Sequence, residues 1–160
     1  MTIGGYDSHK TALMAFAKFT RVERVIEFGG GSSSTFLFLD KHFFPDLISL
    51  VTFEHDASWG DRIRTGDERH NLIVIPSGEF MAASTGMSAD FVFIDCVGDR
   101  GILMPHALTL APVFAIHDTR EHDVKGFRYV KGFNGHIQTV FASDTMDLSG
   151  LEIEHNETGG

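Results

Sequence analysis

The sequence predicts an α/β domain: a doubly wound, mostly parallel sheet that ends in a C-terminal antiparallel hairpin. Three observations predict it. Short apolar segments of strand length alternate with segments of helical period along the chain. The inner strand candidates, FVFI at 91–94 among them, are nearly continuous apolar runs, as expected where helices cover both faces of a sheet. The last two strand candidates are joined by SDTMD at 143–147, too short a link for a crossover and long enough for an antiparallel pair.

The elements follow in order. Ser8 is placed to cap a first helix with Ala12, Leu13, Phe16 and Phe19 at its apolar positions. Arg24 to Phe28 forms the first strand and stops at Gly29-Gly30-Gly31. Residues 33–43 read as a helix carrying Phe36, Leu37, Leu39 and Phe43. Leu47 to Phe53 is the second strand, with Glu54-His55-Asp56 at its end, and a helix over 57–65 comes next. Asn71 to Ile75 is the third strand, closed by Pro76-Ser77-Gly78. Phe91 to Ile94 is the fourth, ending at Asp95, and a helix over 101–110 carries Ile102, Leu103, Ala107 and Leu110. Val113 to Ile116 is the fifth strand, ending at His117-Asp118. His136 to Ala142 and Leu148 to Glu154 form the hairpin.

Composition sets the limits. A chain of 160 residues, 42% hydrophobic and 22% charged, fits one globular domain over 1–160 and excludes a disordered or collagen-like chain. No apolar run approaches the roughly 20 residues that span a bilayer. The first ten residues lack the basic flank and apolar stretch of a secretory signal. The lone Cys96 has no internal disulfide partner, so a reducing cytoplasm is the expected location. Lys and Arg number 13 against 22 Asp and Glu, a net charge of −9, which argues against a broad electrostatic grip on nucleic acid. It leaves room for a nucleotide cofactor held by backbone N–H groups. The nine histidines are scattered, with no HExxH pair. Phe127, Phe133 and Phe141 in the tail suit either core or an apolar edge for a homo-oligomer.

Glu27, Glu54, Asp95 and Asp118 each close or follow a strand. A parallel sheet brings such acids to its carboxyl edge, where open α/β sheets bind ligands, although turn and capping residues show the same placement. In the loop 29–35 the glycines permit close backbone approach, and the serines can cap a helix whose N-terminus carries partial positive charge. Ser34 stands where a GxGxxG loop would have its third glycine. The acid ahead of the glycines, Glu27, suits a cationic or amine-bearing ligand. It disfavours the diphosphate of a nicotinamide cofactor or a nucleotide sugar.

Glu54 can accept both ribose hydroxyls of a nucleoside. His55 and Trp59 could flank an adenine, and Trp59 fits equally well packed within the following helix. His117, beside Asp118, is the candidate general base, or else a histidine satisfied by a backbone carbonyl. Arg100 suits a carboxylate or phosphate on a substrate, or pairs with Asp99 or Asp118 to order its loop. Cys96 reads as a small packed residue.

The segments VIEFGGGSSSTFLFLD, VTFEHDASW, DFVFIDCVGDR and FAIHDT, in that order, resemble the class I S-adenosylmethionine-dependent methyltransferases, in particular small Rossmann-like O-methyltransferases. The likeness runs over most of the chain. It implies S-adenosylmethionine as cofactor and methyl transfer to an oxygen or nitrogen of a small-molecule acceptor. It places Glu27, Gly29 and Gly31 beside the methionine part, with Ser33 in the same loop. Glu54 would hold the ribose with His55 next to it, and Glu79 falls in the segment 77–80 that meets the adenine. Asp95 would face the methionine amino group or the reacting centre. Asp95, His117 and Asp118 form the implied catalytic set, with Arg100 toward substrate.

In metal-dependent members, an acid after the fourth strand and an Asp-Asn pair after the fifth hold a divalent ion. Here Asp95 and Asp118 match, and Thr119 replaces the Asn. Other departures are Cys96 in place of a glycine, Ala111-Pro112 in place of a Gly-Gly turn, and no inserted substrate cap. The acceptor would then lie in an open cleft or under a second subunit. These departures keep an alternative open: a protein that binds the cofactor without turnover, as a sensor or assembly partner.

Overall fold

The computed structural model describes residues 8–97, 100–117 and 137–141. In chain order the elements are α1 (Ser8–Phe19), β1 (Arg24–Phe28), α2 (Thr35–Leu39), β2 (Ser49–Glu54), α3 (Ala57–Ile63) and β3 (His70–Val74). A 3₁₀ turn (Ser77–Glu79) runs into α4 (Phe80–Ser84), followed by β4 (Phe91–Ile94), α5 (Arg100–Leu110), β5 (Val113–His117) and β6 (Ile137–Phe141). They build one sheet in the order β3-β2-β1-β4-β5-β6. The first five strands are parallel, and β6 runs antiparallel to β5 with Ile137 opposite His117. The doubly wound parallel sheet expected from the sequence is therefore present. The second strand of the expected hairpin, 148–154, lies outside the described residues.

Strand alternation divides the core in two. Ile26, Phe28, Val92, Ile94, Phe114 and Ile116 face one way, onto Phe80 of α4 and Leu103, Ala107 and Leu110 of α5. Val25, Leu50, Phe91, Phe93, Val113 and Ala115 face the other, onto Leu13 and Phe16 of α1 and Leu37 and Phe38 of α2. Burying each of the fully enclosed phenylalanines, such as Phe28, Phe38 and Phe93, contributes about 2–3 kcal/mol. At the opposite edge from the candidate site, Asp90 Oδ2 accepts the backbone N–H groups of Glu23 and Arg24, both at 2.8 Å, which fixes the start of β1 against the entry to β4.

Boundaries differ from the sequence expectation where side chains compete with the backbone. The helix expected over 33–43 stops at Leu39. Asp40 turns extended, and its Oδ1 accepts the His42 N–H at 2.8 Å, an Asx turn that replaces helix continuation. The second strand begins at Ser49 because Leu47 is held in a turn, its N–H donating to Phe44 O. Nothing in the sequence marks the five-residue α4, since FMAAS is too short to show a helical period. No helix among the described residues is long and apolar enough to cross a membrane.

Candidate functional site

The sheet order reverses direction between β1 and β4, the place where doubly wound sheets open a crevice at their carboxyl edge. Alternation sends Glu27, Thr52, Glu54 and His117 to the face covered by α1 and α2, and Asp95 continues the Phe91–Phe93 series on that face.

Gly29 sits in the crevice with φ +84, a left-handed conformation that favours glycine. Its N–H donates to Phe53 O at 2.8 Å, while Asp95 N–H donates to Phe28 O at 2.8 Å, so the loop after β1 is stitched to both neighbouring strand ends. Gly30 lies against Ile63 and Thr52, too close to admit a side chain. Gly31 N–H donates to Thr35 Oγ1 at 3.1 Å, and Ser33 is half-buried in the turn before α2.

Glu27 is completely buried. Its Oε2 accepts the hydroxyls of Thr35 at 2.7 Å and Thr52 at 2.8 Å, tying the glycine loop to β2. Oε1 has no hydrogen-bond partner among the described residues. Burial pushes the carboxyl from 4.5 up to about 7, against the lowering effect of the hydroxyls and aided by the nearby Asp95 charge. Thr52 Oγ in turn contacts His70 Nε2 at 3.2 Å. Because the Thr52 hydroxyl donates to Glu27, that contact is a bond donated by the imidazole.

Glu54 is also buried. Its Oε1 accepts the N–H groups of His55 at 2.7 Å and Asp56 at 2.9 Å and lies 2.9 Å from His55 Nδ1, and its Oε2 accepts Gly30 N–H at 3.1 Å. Asp56 Oδ1 caps α3 by accepting the N–H groups of Ser58 and Trp59. This cap sets Trp59 over the glycine loop, where its indole Nε1 donates to Gly30 O at 2.6 Å. Arg62 stacks on the same ring, 5.3 Å from its centroid. His55 and Glu79 are exposed.

Beyond the crevice, Asp95 Oδ1 accepts His117 Nδ1–H at 2.9 Å and lies 3.1 Å from Arg100 Nη2. Arg100 also donates through Nε to Cys96 O at 2.7 Å and through Nη1 to His117 O. His9 of α1 closes the group, its Nδ1 3.9 Å from Asp95 Oδ2 and its ring edge-on to His117 with centroids 4.5 Å apart. Burial alone would raise the Asp95 carboxyl; the facing His117, Arg100 and His9 outweigh it and hold the group below its ordinary value. Burial pushes the Cys96 thiol up to about 12, which fits an unreactive packed residue.

The structure thus brings Glu27, Gly29, Gly31, Ser33, Glu54 and Asp95 to one edge, with His117 beside Asp95. It places Arg100, expected toward substrate, with its guanidinium turned inward and 4% of the residue exposed. Asp99, Asp118 and Thr119 lie outside the described residues, and with them part of the implied oxygen-ligand set. Sequence reasoning missed His9. Its signal was present, since His9, Leu13 and Phe16 share one helical stripe at i, i+4 and i+7. It also missed Thr35 and Thr52 as partners of Glu27, for which spacing offers no signal.

No family model matches the chain, and no curated protein matches it. Solved structures do. The O-methyltransferase TomG from Streptomyces achromogenes, involved in tomaymycin synthesis and in complex with SAM, is 20% identical with a TM-score of 0.56 over 74% of this chain and 62% of its own. An O-methyltransferase from Bacillus cereus in complex with SAH is 18% identical with a TM-score of 0.56 over 68% of this chain and 55% of its own. Spermidine synthase from Thermotoga maritima is 16% identical with a TM-score of 0.54 over 73% of this chain and 44% of its own. The chain therefore spans less than two thirds of the length of each. The fold they share with it is a doubly wound, Rossmann-like α/β sheet.

Proposed function

We propose that the protein transfers the methyl group of S-adenosylmethionine to an oxygen or nitrogen of a small molecule. The observation that carries this reading is the convergence, along one sheet edge, of the positive-φ glycine loop, Glu54 and the Asp95–His117 pair. In this reading the cofactor's methionine part lies beside Gly29 and Gly31. Its ribose hydroxyls take the place of backbone N–H groups on the Glu54 carboxylate.

The reaction is an in-line displacement. Bound there, S-adenosylmethionine would supply an electrophilic methyl carbon to the acceptor's lone pair, its sulfur leaving with the electron pair of the broken carbon–sulfur bond. Alignment supplies most of the rate, because the reactants are held at attack geometry. Asp95 accepts the Nδ1–H of His117. This bond orients the ring and sets its tautomer, and His117 is the candidate base for the acceptor's proton. Arg100 acts as a positioning residue, joining Asp95 to the backbone of β5. Asp118 follows directly in sequence as a further candidate for orienting the acceptor.

The test is SAH release from SAM over a panel of phenols, catechols, amines and carboxylic acids. Acceptor-dependent release that is lost in Asp95→Ala, with SAM binding retained, supports the assignment. Unchanged turnover in that variant contradicts the role given to Asp95. A second reading, SAM binding without turnover, draws on the inward-turned Arg100, which leaves the cleft without its expected substrate cation. Binding with no release over the whole panel would favour it.

A further inference from the structure

We infer that His9, Asp95 and His117 form a binding site for a divalent transition-metal ion of the zinc class. The inference does not depend on methyl transfer. The three side chains come from α1, the end of β4 and the end of β5, so no local turn imposes their meeting. Each offers one ligand atom, and these atoms lie within 4.8 Å of one another. An ion about 2.0–2.2 Å from each ligand needs them roughly 3–4 Å apart, which small ring rotations supply.

The donor set selects the metal. Two imidazoles and one carboxylate suit zinc, cobalt or iron; magnesium and calcium take oxygen ligands. This set therefore differs from the oxygen set that Asp95 and Asp118 would make. Both imidazoles are buried, while the Asp95 side chain is 19% exposed, which gives the group one open side for an exogenous ligand.

The surroundings resemble an outer shell that orients ligands. Arg100 Nη2 holds Asp95 Oδ1 at 3.1 Å, and Oδ2 is the oxygen turned toward His9. The Arg100 charge opposes a cation, but its Nε and Nη1 are engaged by the carbonyls of Cys96 and His117, and Nη2 by the carboxylate. Phe93 walls the site, its ring centroid 5.3 Å from that of His9. A metal ion on His117 Nδ1 would displace the proton now donated to Asp95 and leave the other proton on Nε2. The general-base form of His117 therefore belongs to the metal-free chain and the ligand form to the loaded one, and Zn²⁺ binding is measured without reference to turnover.

The test uses the full chain stripped with a chelator. It is titrated with Zn²⁺ by calorimetry and with Co²⁺ by visible absorption, and the Zn²⁺-loaded protein is measured by X-ray absorption. The expected result is one ion per chain, weakened by roughly tenfold or more in His9→Gln and His117→Gln. His42→Ala, at an exposed residue outside the group, leaves binding unchanged. X-ray absorption of the wild type, which does not depend on any variant folding, should show two imidazoles and an oxygen ligand. No Zn²⁺ binding by the folded wild type, an affinity indifferent to His9→Gln, or a shell with fewer than two imidazoles would overturn the site.

Discussion

Gly29 and Cys96 approach so closely that a Cβ on Gly29 would lie 2.4 Å from the Cys96 Cα and 2.5 Å from its backbone nitrogen. The obstacle is backbone at the end of β4, which cannot swing aside as a side-chain tip can. Gly29→Ala combines this overlap with φ +84 and should cost roughly 3 kcal/mol or more. Gly86 has a similar φ of +81 but open space around it, so Gly86→Ala should cost only about 1–2 kcal/mol. Urea unfolding of the two variants checks the contrast.

Glu27 makes stability depend on pH with a definite sign. Its folded value near 7 lies above the ordinary 4.5. The neutral acid is favoured in the fold, so its contribution is intact below about 4.5 and is lost as pH rises through about 7. At about 1.4 kcal/mol per pH unit, the loss amounts to roughly 3 kcal/mol. Glu27→Gln removes the ionisation. The stability of the variant relative to wild type should therefore rise by roughly that amount between pH 4.5 and pH 8. Taking the difference also cancels the opposite slope of His70 and His106, whose values burial lowers.

These two residues show what sequence could and could not supply. The β1 strand, its glycine stop and the acid ahead of it were readable, because strand length and loop chemistry are local. That the Glu27 carboxyl would turn onto Thr35 and Thr52 was not, since strand pairing brings Thr52 beside it from 25 positions away. Arg100 illustrates the same limit. Its charge suits either a ligand contact or an ion pair with Asp99 or Asp118, and the closure of α5 onto β5 turns it toward Asp95 and the His117 carbonyl.

Asp95 acts in the opposite pH window from Glu27. Its value is held below the ordinary 3.8, so its contribution is present above that pH and is lost as pH falls through the depressed value. Asp95→Asn leaves Arg100 buried without its carboxylate partner and should cost about 3 kcal/mol near neutrality. The variant should also lose less stability than wild type on going from pH 4 to pH 2. Chemical denaturation at three pH values measures both effects.

Trp59 is the chain's one tryptophan, and its indole donates to the carbonyl of Gly30. Intrinsic fluorescence therefore reports on the glycine loop. SAM should change the emission of the wild type, and an unchanged spectrum at saturating SAM would place the cofactor away from this loop. Trp59→Phe removes the hydrogen bond and should cost about 1 kcal/mol of stability, read from the shift in its unfolding midpoint.

The central claim is that the carboxyl edge beside β1 and β2 binds S-adenosylmethionine. Calorimetric titration of wild type and Glu54→Ala with S-adenosylmethionine and S-adenosylhomocysteine tests it most directly. Binding of both ligands by the wild type, abolished in a folded Glu54→Ala, is the predicted result. No binding of either ligand by the folded wild type, or binding unaffected by the substitution, would contradict it.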